Sequence, residues 1–464
     1  MRRFLRPFVV LAVCSLAGAV LVVQAPAASA TPINRPSDPV VITGATTPTL
    51  QGQVPTQIVG FRADGSGWVQ IPIQVDERAM LDLGLVYHGA ANGVKVLAYT
   101  SNATFAGADP NKKFDADDEL AFMARDTGVQ ATAASAPVGT VSGTGVAVHV
   151  TDPLAPGADG YVYLFVKAKG SKLQQGAGKK YVKYQFHLDS GNYKKTYKTT
   201  AGPNPENTHI TGATYTQHFG DRWLTDSITV TAPGATKVDI LDRAKPLFAP
   251  GNCVRTEDTF DSGEGAFIVN KSGPVRAIRS YIGANSGPNT ERTNIFYDRR
   301  EDVVTDLRVH AIPSIMDLMD YSPAATGMTY RNELNPTGVT VDGNPDSLTA
   351  GVSSWEQITG VQGTLTSVGQ LTTSFATPGL TSYYLDDSTP PVTQCTGDAF
   401  AYGESGLYLN SALPCTDPGM GCSDTLRGVR TMYFDPPGGT VATAATERDD
   451  AVDPLAATAA AWSP

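Results

Sequence analysis

Histidine, cysteine and tryptophan are scarce in this chain, at six, five and four among 464 residues. No C-x-x-C pair occurs and no histidine lies near the cysteines, so a structural zinc site lacks its usual ligands. H-E-x-x-H, a P-loop and G-x-S-x-G are also missing, which removes the customary support for a metalloprotease, a nucleotide-dependent enzyme or a serine hydrolase. Long amphipathic helices are absent, and with them the strand-helix alternation of an α/β fold. A basic excess is lacking too: 35 Lys and Arg stand against 45 Asp and Glu. That balance argues against nucleic acid or an anionic bilayer as partner, since both reward a basic surface.

What is present starts with an address. Arg2, Arg3 and Arg6 precede an apolar stretch from Phe8 to Val23, and Ala28-Ser29-Ala30 follows as a small-residue cleavage site. This pattern predicts a secretory signal peptide over 1–30 and a mature chain that works outside the cytoplasm, with no membrane association after cleavage. The apolar run is short for a spanning helix. Cys14 lies within it after Val13, which speaks against a lipoprotein. Removing 1–30 takes away three arginines and no acids, leaving 32 basic and 45 acidic side chains, a balance of −13. Four cysteines survive: Cys253, Cys395, Cys415 and Cys422. An even number in an exported chain suggests two disulfides, with three pairings open. One pairing closes a short Asp-Pro-Gly loop between Cys415 and Cys422 and leaves Cys253 to meet Cys395.

Short β-branched or aromatic runs separated by Gly, Asn, Asp and Pro recur along the chain, the punctuation of an all-β protein. Gln57 to Phe61, Trp68 to Gln74, Val94 to Tyr99, Val146 to Val150 and Tyr161 to Val166 are examples. Tyr181 to Leu188 alternates with period two and, with a turn at Asp189 to Asn192, predicts a hairpin returning over Tyr193 to Tyr197. Val275 to Ile282, Thr293 to Tyr297 and Val303 to Ile312 predict a three-stranded antiparallel meander. Further strands are expected at Gly338 to Val341, Gly360 to Leu365, Thr381 to Leu385 and Val429 to Phe434. Ile315 to Met319 and the alanine-rich stretch Leu455 to Trp462 read as short helices, the second as a loosely held terminus. The fold class is therefore all-β: an antiparallel β-sandwich over 31–200, a larger β (super-)sandwich over 201–447, and a tail over 448–464.

Four groups of residues carry candidate chemistry. Asp115, Asp117, Asp118 and Glu119, preceded by Asp109-Pro-Asn111, crowd carboxylates into one turn, and a structural Ca²⁺ accepts six to eight oxygens from such a loop. A solvated acidic turn is the plainer alternative. In the meander, alternation puts Arg279 and Tyr281 on one face and aligns Asp306, Arg308 and His310, with Asn285 and Arg292 in the loop beside them. Arginine or asparagine there would neutralise an anionic sugar while Tyr281 or His310 moves a proton, the chemistry of a polysaccharide lyase. The competing reading is a ladder of cross-strand Arg-Asp pairs. His218, Asp221, Arg222, Trp223 and Asp226 could line a sugar subsite, while the plainer alternative is an Asp-Arg turn beside a core tryptophan. Glu257, Asp258, Asp261 and Glu264 offer the paired carboxylates a glycoside hydrolase requires.

Phe114-Asp-Ala-Asp-Asp-Glu-Leu120 and Asn270-Lys-Ser-Gly-Pro-Val-Arg-Ala-Ile-Arg-Ser-Tyr281 look like phrases of secreted actinobacterial proteins of unassigned function. Gly273-Pro-Val-Arg276 also resembles strands in the super-sandwich sheets of galactose-mutarotase-like and polysaccharide lyase proteins. The resemblance covers under a tenth of the chain and implies a large antiparallel sheet, without transferring a catalytic residue. Together these features lead to the expectation of a secreted protein acting on an extracellular, acidic polysaccharide or glycan. The alternatives are a non-catalytic cell-surface or carbohydrate-binding protein, with Trp223 or Trp355 as an aromatic platform, and a glycoside hydrolase.

Overall fold

The computed structural model describes residues 31–464 except 88–89, 133–134, 190–205, 222–223, 249–264, 284–288, 310, 390–399 and 415–423. Its elements are overwhelmingly antiparallel strands, as the punctuation predicts. The return arm of the hairpin, the inferred boundary near 200, the signal segment and all four mature cysteines lie outside the described residues. Among the described residues no helix is long and apolar enough to cross a membrane.

The first part is a sandwich. A sheet ordered Ala456–Ala461, Val146–Thr151, Asp159–Val166, Ile58–Ala63, Trp68–Ile71 packs on a smaller one ordered Pro39–Thr43, Glu119–Met123, Gln74–Asp76. Alternation drives this: Val146, Val148 and Val150 point inward with Val162, Leu164, Ile58 and Phe122, while the intervening residues are only half-buried.

The second part centres on a nine-stranded antiparallel sheet. Its order is Gly265–Ser272, Ala277–Gly283, Thr290–Phe296, Arg300–Arg308, Thr425–Asp435, Gly363–Thr373, Trp355–Gly360, Thr329–Asn332, Asn335–Thr340. The expected meander forms its first half, with Ile278 opposite Ile295 and Ile295 opposite Asp302. Two four-stranded sheets cover its inner face. One runs Leu241–Phe248, Ile315–Tyr321, Ala401–Leu409, Leu380–Asp387, and the other Lys183–Gln185, Thr208–Thr211, Tyr215–Phe219, Thr225–Val230. Tyr215, Phe219, Phe296, Met319, Leu365, Met432 and Phe434 fill the space between.

Three local expectations are corrected. Ile315–Tyr321 is a strand, hydrogen-bonded on both edges, and not a helix. The alanine-rich end is also a strand, Ala456–Ala461, paired along its whole length with Val146–Thr151. Alanine's helix preference is a fraction of a kcal/mol per residue and yields to a ladder of tertiary hydrogen bonds. Trp462 then packs edge-on against Trp68, Tyr163 and Phe165, so this end is anchored. The helix of this region lies earlier, at Val441–Val452, capped by Thr440 and Thr443 and seated through Ala444 on Trp355, Val368 and Tyr433.

The two parts meet through a buried polar network. Arg276 reaches Asp76 at 2.7 Å and Glu119 at 2.6 Å, Lys271 reaches Asp76 at 2.7 Å, and Tyr99 donates to Glu119 at 2.7 Å. The Gln74 side chain accepts from the Val275 and Arg276 backbone N–H groups.

Candidate functional site

Three rows of side chains on the inner face of the nine-stranded sheet define the site. Strand register aligns Glu301, Met432, Ser367 and Glu356 in the first, Asn294, Val303, Arg430 and Gly369 in the second, and Arg292, Thr305, Gly428 and Leu371 in the third. The facing sheet contributes the row Pro246, Asp317, Leu407 and Ser382. Glycines at 369 and 428 remove side chains where the two sheets face each other, and each lies inside a strand, whereas Gly406, in register with Leu318 and Tyr383, faces the other side of its sheet. A Cβ on Gly406 would fall 2.2 Å from the Asp317 carbonyl oxygen. Glycine within a strand marks close approach of backbone or ligand.

The resulting cleft has a cavity volume of about 50 Å³ and is lined by Thr305, Asp317, Ser353, Trp355, Glu356, Gln370, Ser382 and Arg430. It continues into an apolar end of about 80 Å³ formed by Leu307, Met316, Leu371, Leu407 and Leu426. Asp317 borders both spaces. Arg292 Nη2 lies 3.2 Å from Asp317 Oδ1 and Arg430 Nη2 lies 3.4 Å from Oδ2, while 32% of the Asp317 side chain stays open to the cleft. Thr305 Oγ1 accepts from Arg292 Nε, and the Asp317 carbonyl accepts from Arg430 at 2.6 Å, so both guanidinium groups are oriented.

Electrostatics separates the acids of this region. Burial alone would raise the Asp317 pKa, but Arg430 and Arg292 outweigh it and hold the carboxyl below its usual range. Glu356 moves the other way: burial raises its pKa, the Asp317 charge adds to the rise, and Arg430 and the Tyr330 hydroxyl only partly oppose it. Tyr330 donates to Glu356 Oε2 at 3.2 Å and accepts from Asn332, which fixes the carboxyl. Deeper still, burial pushes Glu301 up to about 7 although Gln217 and Asn294 donate to it.

Among the described residues, those singled out in the meander do not converge. Arg279 and Tyr281 lie on the inner face, but each is only 1% exposed, because the sheet is covered on that side. Arg279 is paired with the buried Glu206 and sits over the Phe219 and Phe267 rings, at 4.4 and 5.3 Å. Tyr281 packs edge-on against Phe267. Arg308 points to the opposite face beside Glu291 at 3.5 Å. Arg292 is in a strand and not in a loop, and it faces the cleft. His310 and Asn285 lie outside the described residues, as do Glu257, Asp258, Asp261 and Glu264.

His218 occupies the outer face of its sheet, away from the cleft, since Tyr215, Gln217 and Phe219 alternate inward. Its Nδ1 lies 2.6 Å from Asp226 Oδ1, and its Nε2 and that of His209 both reach Asn207 Oδ1. The two histidines border an open groove with Gln185 and Ser227. Arg222 and Trp223 lie outside the described residues. Trp355 is buried under the C-terminal helix, so it offers no exposed platform. In the acidic turn, Asp109, Asp115 and Asp118 gather, whereas the Glu119 carboxylate is drawn away by Arg78, Arg276 and Tyr99. The Asp117 backbone carbonyl accepts from Arg78 Nε, and its carboxyl is pushed up to about 6, chiefly by the neighbouring Asp115.

No family model and no curated protein matches the chain. Among solved structures it is similar to that titled "Crystal Structure Analysis of HI1317", with a TM-score of 0.33 and 9% identity over 54% of this chain and 100% of the other. It is also similar to the family GH92 α-mannosidase BT3965 from Bacteroides thetaiotaomicron, with a TM-score of 0.27 and 10% identity over 59% of this chain and 32% of that one. At such scores neither likeness bears on the site or its activity.

Proposed function

We propose that the protein is a secreted glycoside hydrolase whose catalytic carboxyl pair is Glu356 and Asp317. One observation carries this reading: the two groups line one cleft, and their surroundings drive their pKa values apart. Such a split assigns roles, with a protonated acid beside an ionised partner. Glu356 donates a proton to the departing glycosidic oxygen. Asp317, held between two arginines, presents fixed negative charge to the oxocarbenium-like transition state and takes the proton of the water whose oxygen bonds to the anomeric carbon as the glycosidic bond breaks. Ser353, Ser382, Thr305 and Gln370 offer hydroxyl and amide groups to sugar hydroxyls. The extracellular setting rests on the basic start, apolar run and Ala28-Ser29-Ala30 site of the sequence. Paired carboxylates thus replace proton abstraction by Tyr281, because Tyr281 is enclosed in the core.

The test is incubation of the purified protein with neutral and acidic polysaccharides while following new reducing ends and unsaturated-product absorbance. The expected result is reducing ends alone, with turnover falling about 10²- to 10⁴-fold in Glu356→Gln and Asp317→Asn. Turnover should pass through a maximum with pH, lost on the acid side as Asp317 protonates and on the alkaline side as Glu356 ionises. Unsaturated products, or full activity in both variants, would overturn the assignment. Saturable binding of a glycan without any product would leave the carbohydrate-binding alternative.

A further inference from the structure

We propose that Asp109, Asp115 and Asp118 form a calcium site at the junction between the N-terminal sandwich and the nine-stranded sheet. One carboxylate oxygen from each lies within 4.8 Å of the others, a spacing at which a single cation touches all three. A crowd of acids alone would be ordinary, but Asp109 adds a separate fact. It is only 5% exposed, and its Oδ2 accepts no hydrogen bond. Its other oxygen takes the Asn111 backbone N–H at 2.8 Å. A buried carboxylate oxygen without a donor is costly, and a bound cation is the partner that removes the cost.

The other two carboxylates are pre-set and keep acceptor capacity. Asp118 is fully buried and accepts the Arg78 N–H at 2.8 Å through Oδ1 and the Asp115 N–H at 3.0 Å through Oδ2, which leaves each oxygen a further lone pair. Asp115 accepts from Asn111 Nδ2 and from the Asp117 N–H. Among the described residues no lysine or arginine pairs with any of the three, while Glu119 and Asp76 nearby are both neutralised by cations. The loop is pinned before any ion arrives. Phe114 is buried, Gly44 N–H donates to the Asp118 carbonyl at 2.9 Å, and a Cβ on Gly44 would lie 1.7 Å from the Asp115 carbonyl oxygen. An all-oxygen donor set on a fixed loop suits a hard cation, with further carbonyls and water completing the six to eight ligands that Ca²⁺ takes. Asp118 directly precedes Glu119, so the ion would stiffen the strand end that grips Arg276.

Protein freed of cations with EDTA is titrated with calcium chloride, and separately with magnesium chloride, by calorimetry and by thermal unfolding. Saturable heat is expected with calcium, together with a rise in Tm of about 3 °C once calcium reaches about a hundred times its Kd. Asp109→Asn should abolish both responses while keeping the shape of the side chain. Asp115→Asn, at a more exposed position, decides the matter if the first variant does not fold. Absence of heat and of any shift in the wild-type chain would overturn the proposal. So would an undiminished calcium response in a folded variant, or a magnesium response as large as that to calcium.

Discussion

Two arginine-carboxylate networks in this molecule use the same side chains and reach opposite ends. Around Arg276, two carboxylates, a lysine, a tyrosine and a glutamine close on one another, and the Asp76 carboxylate is fully enclosed. Burial would raise the Asp76 pKa, yet Lys271 and Arg276 hold it at about 2. Around Asp317, two arginines close from one side only, and the carboxylate keeps a face to the cleft. The difference teaches that charge in a sheet interior is not by itself a sign of chemistry. The first network has no surface to offer a substrate and fixes how the two parts of the chain dock. The second stays open where Gly369 and Gly428 put no side chain between the sheets.

The comparison breaks most visibly at Arg276. Arg276→Ala leaves Asp76 and Glu119 without their shared cation and should cost about 3 to 5 kcal/mol of stability. A chemical-denaturation midpoint reports this, and turnover per folded molecule should stay near that of the wild type. An unchanged midpoint would mean that the two parts dock without the network.

A second measurement sharpens the contrast within the cleft. Glu301 is enclosed and its folded pKa is about 7 against an ordinary 4.5, so its contribution to stability is full below 4.5 and is lost as pH rises towards 7. Glu301→Gln keeps the shape without the ionisation. Unfolding free energies measured from pH 4.5 to 8 should show the variant gaining on the wild type by an amount on the order of 3 kcal/mol. Parallel curves would show that Glu301 is not the group that titrates.

The smallest effect is expected from a pair in neither network. Arg427 meets Asp306 at 2.8 Å on the outer face, with half its side chain in water. Arg427→Ala should change stability by less than about 1 kcal/mol, read from the same denaturation experiment, and the loss should shrink further in salt.

Much of the architecture was legible in sequence because strand alternation and turn residues are local signals. The meander is the plainest case, since Val275 to Ile312 carries period-two apolar residues between loops rich in Gly, Asn and Asp. The site was less legible. Alternation correctly puts Arg279 and Tyr281 on one face, but it cannot say whether another sheet covers that face. Asp317 and Asp320, three apart among apolar residues, imitate a helical repeat, so the strand carrying Asp317 was hidden. Arg430 lay in an expected strand and Glu356 stood next to a noted tryptophan, yet neither has a motif around it. The available signal was glycine inside strands at 369 and 428. The C-terminal helix was missed because its apolar residues are four alanines and two valines, too small to mark a helical face, so only Thr440 and Thr443 mark it.

The pairing of Ala456–Ala461 with Val146–Thr151 sets an order of events. Residues 146–151 and their partner are separated by some three hundred positions, so that sheet is completed only after some three hundred further residues have been made. Until then one edge of that sheet is open, with backbone groups ready to recruit a foreign strand. Contacts this distant in sequence form slowly. A chain built this way closes its first sandwich by taking in a strand from some three hundred residues further on.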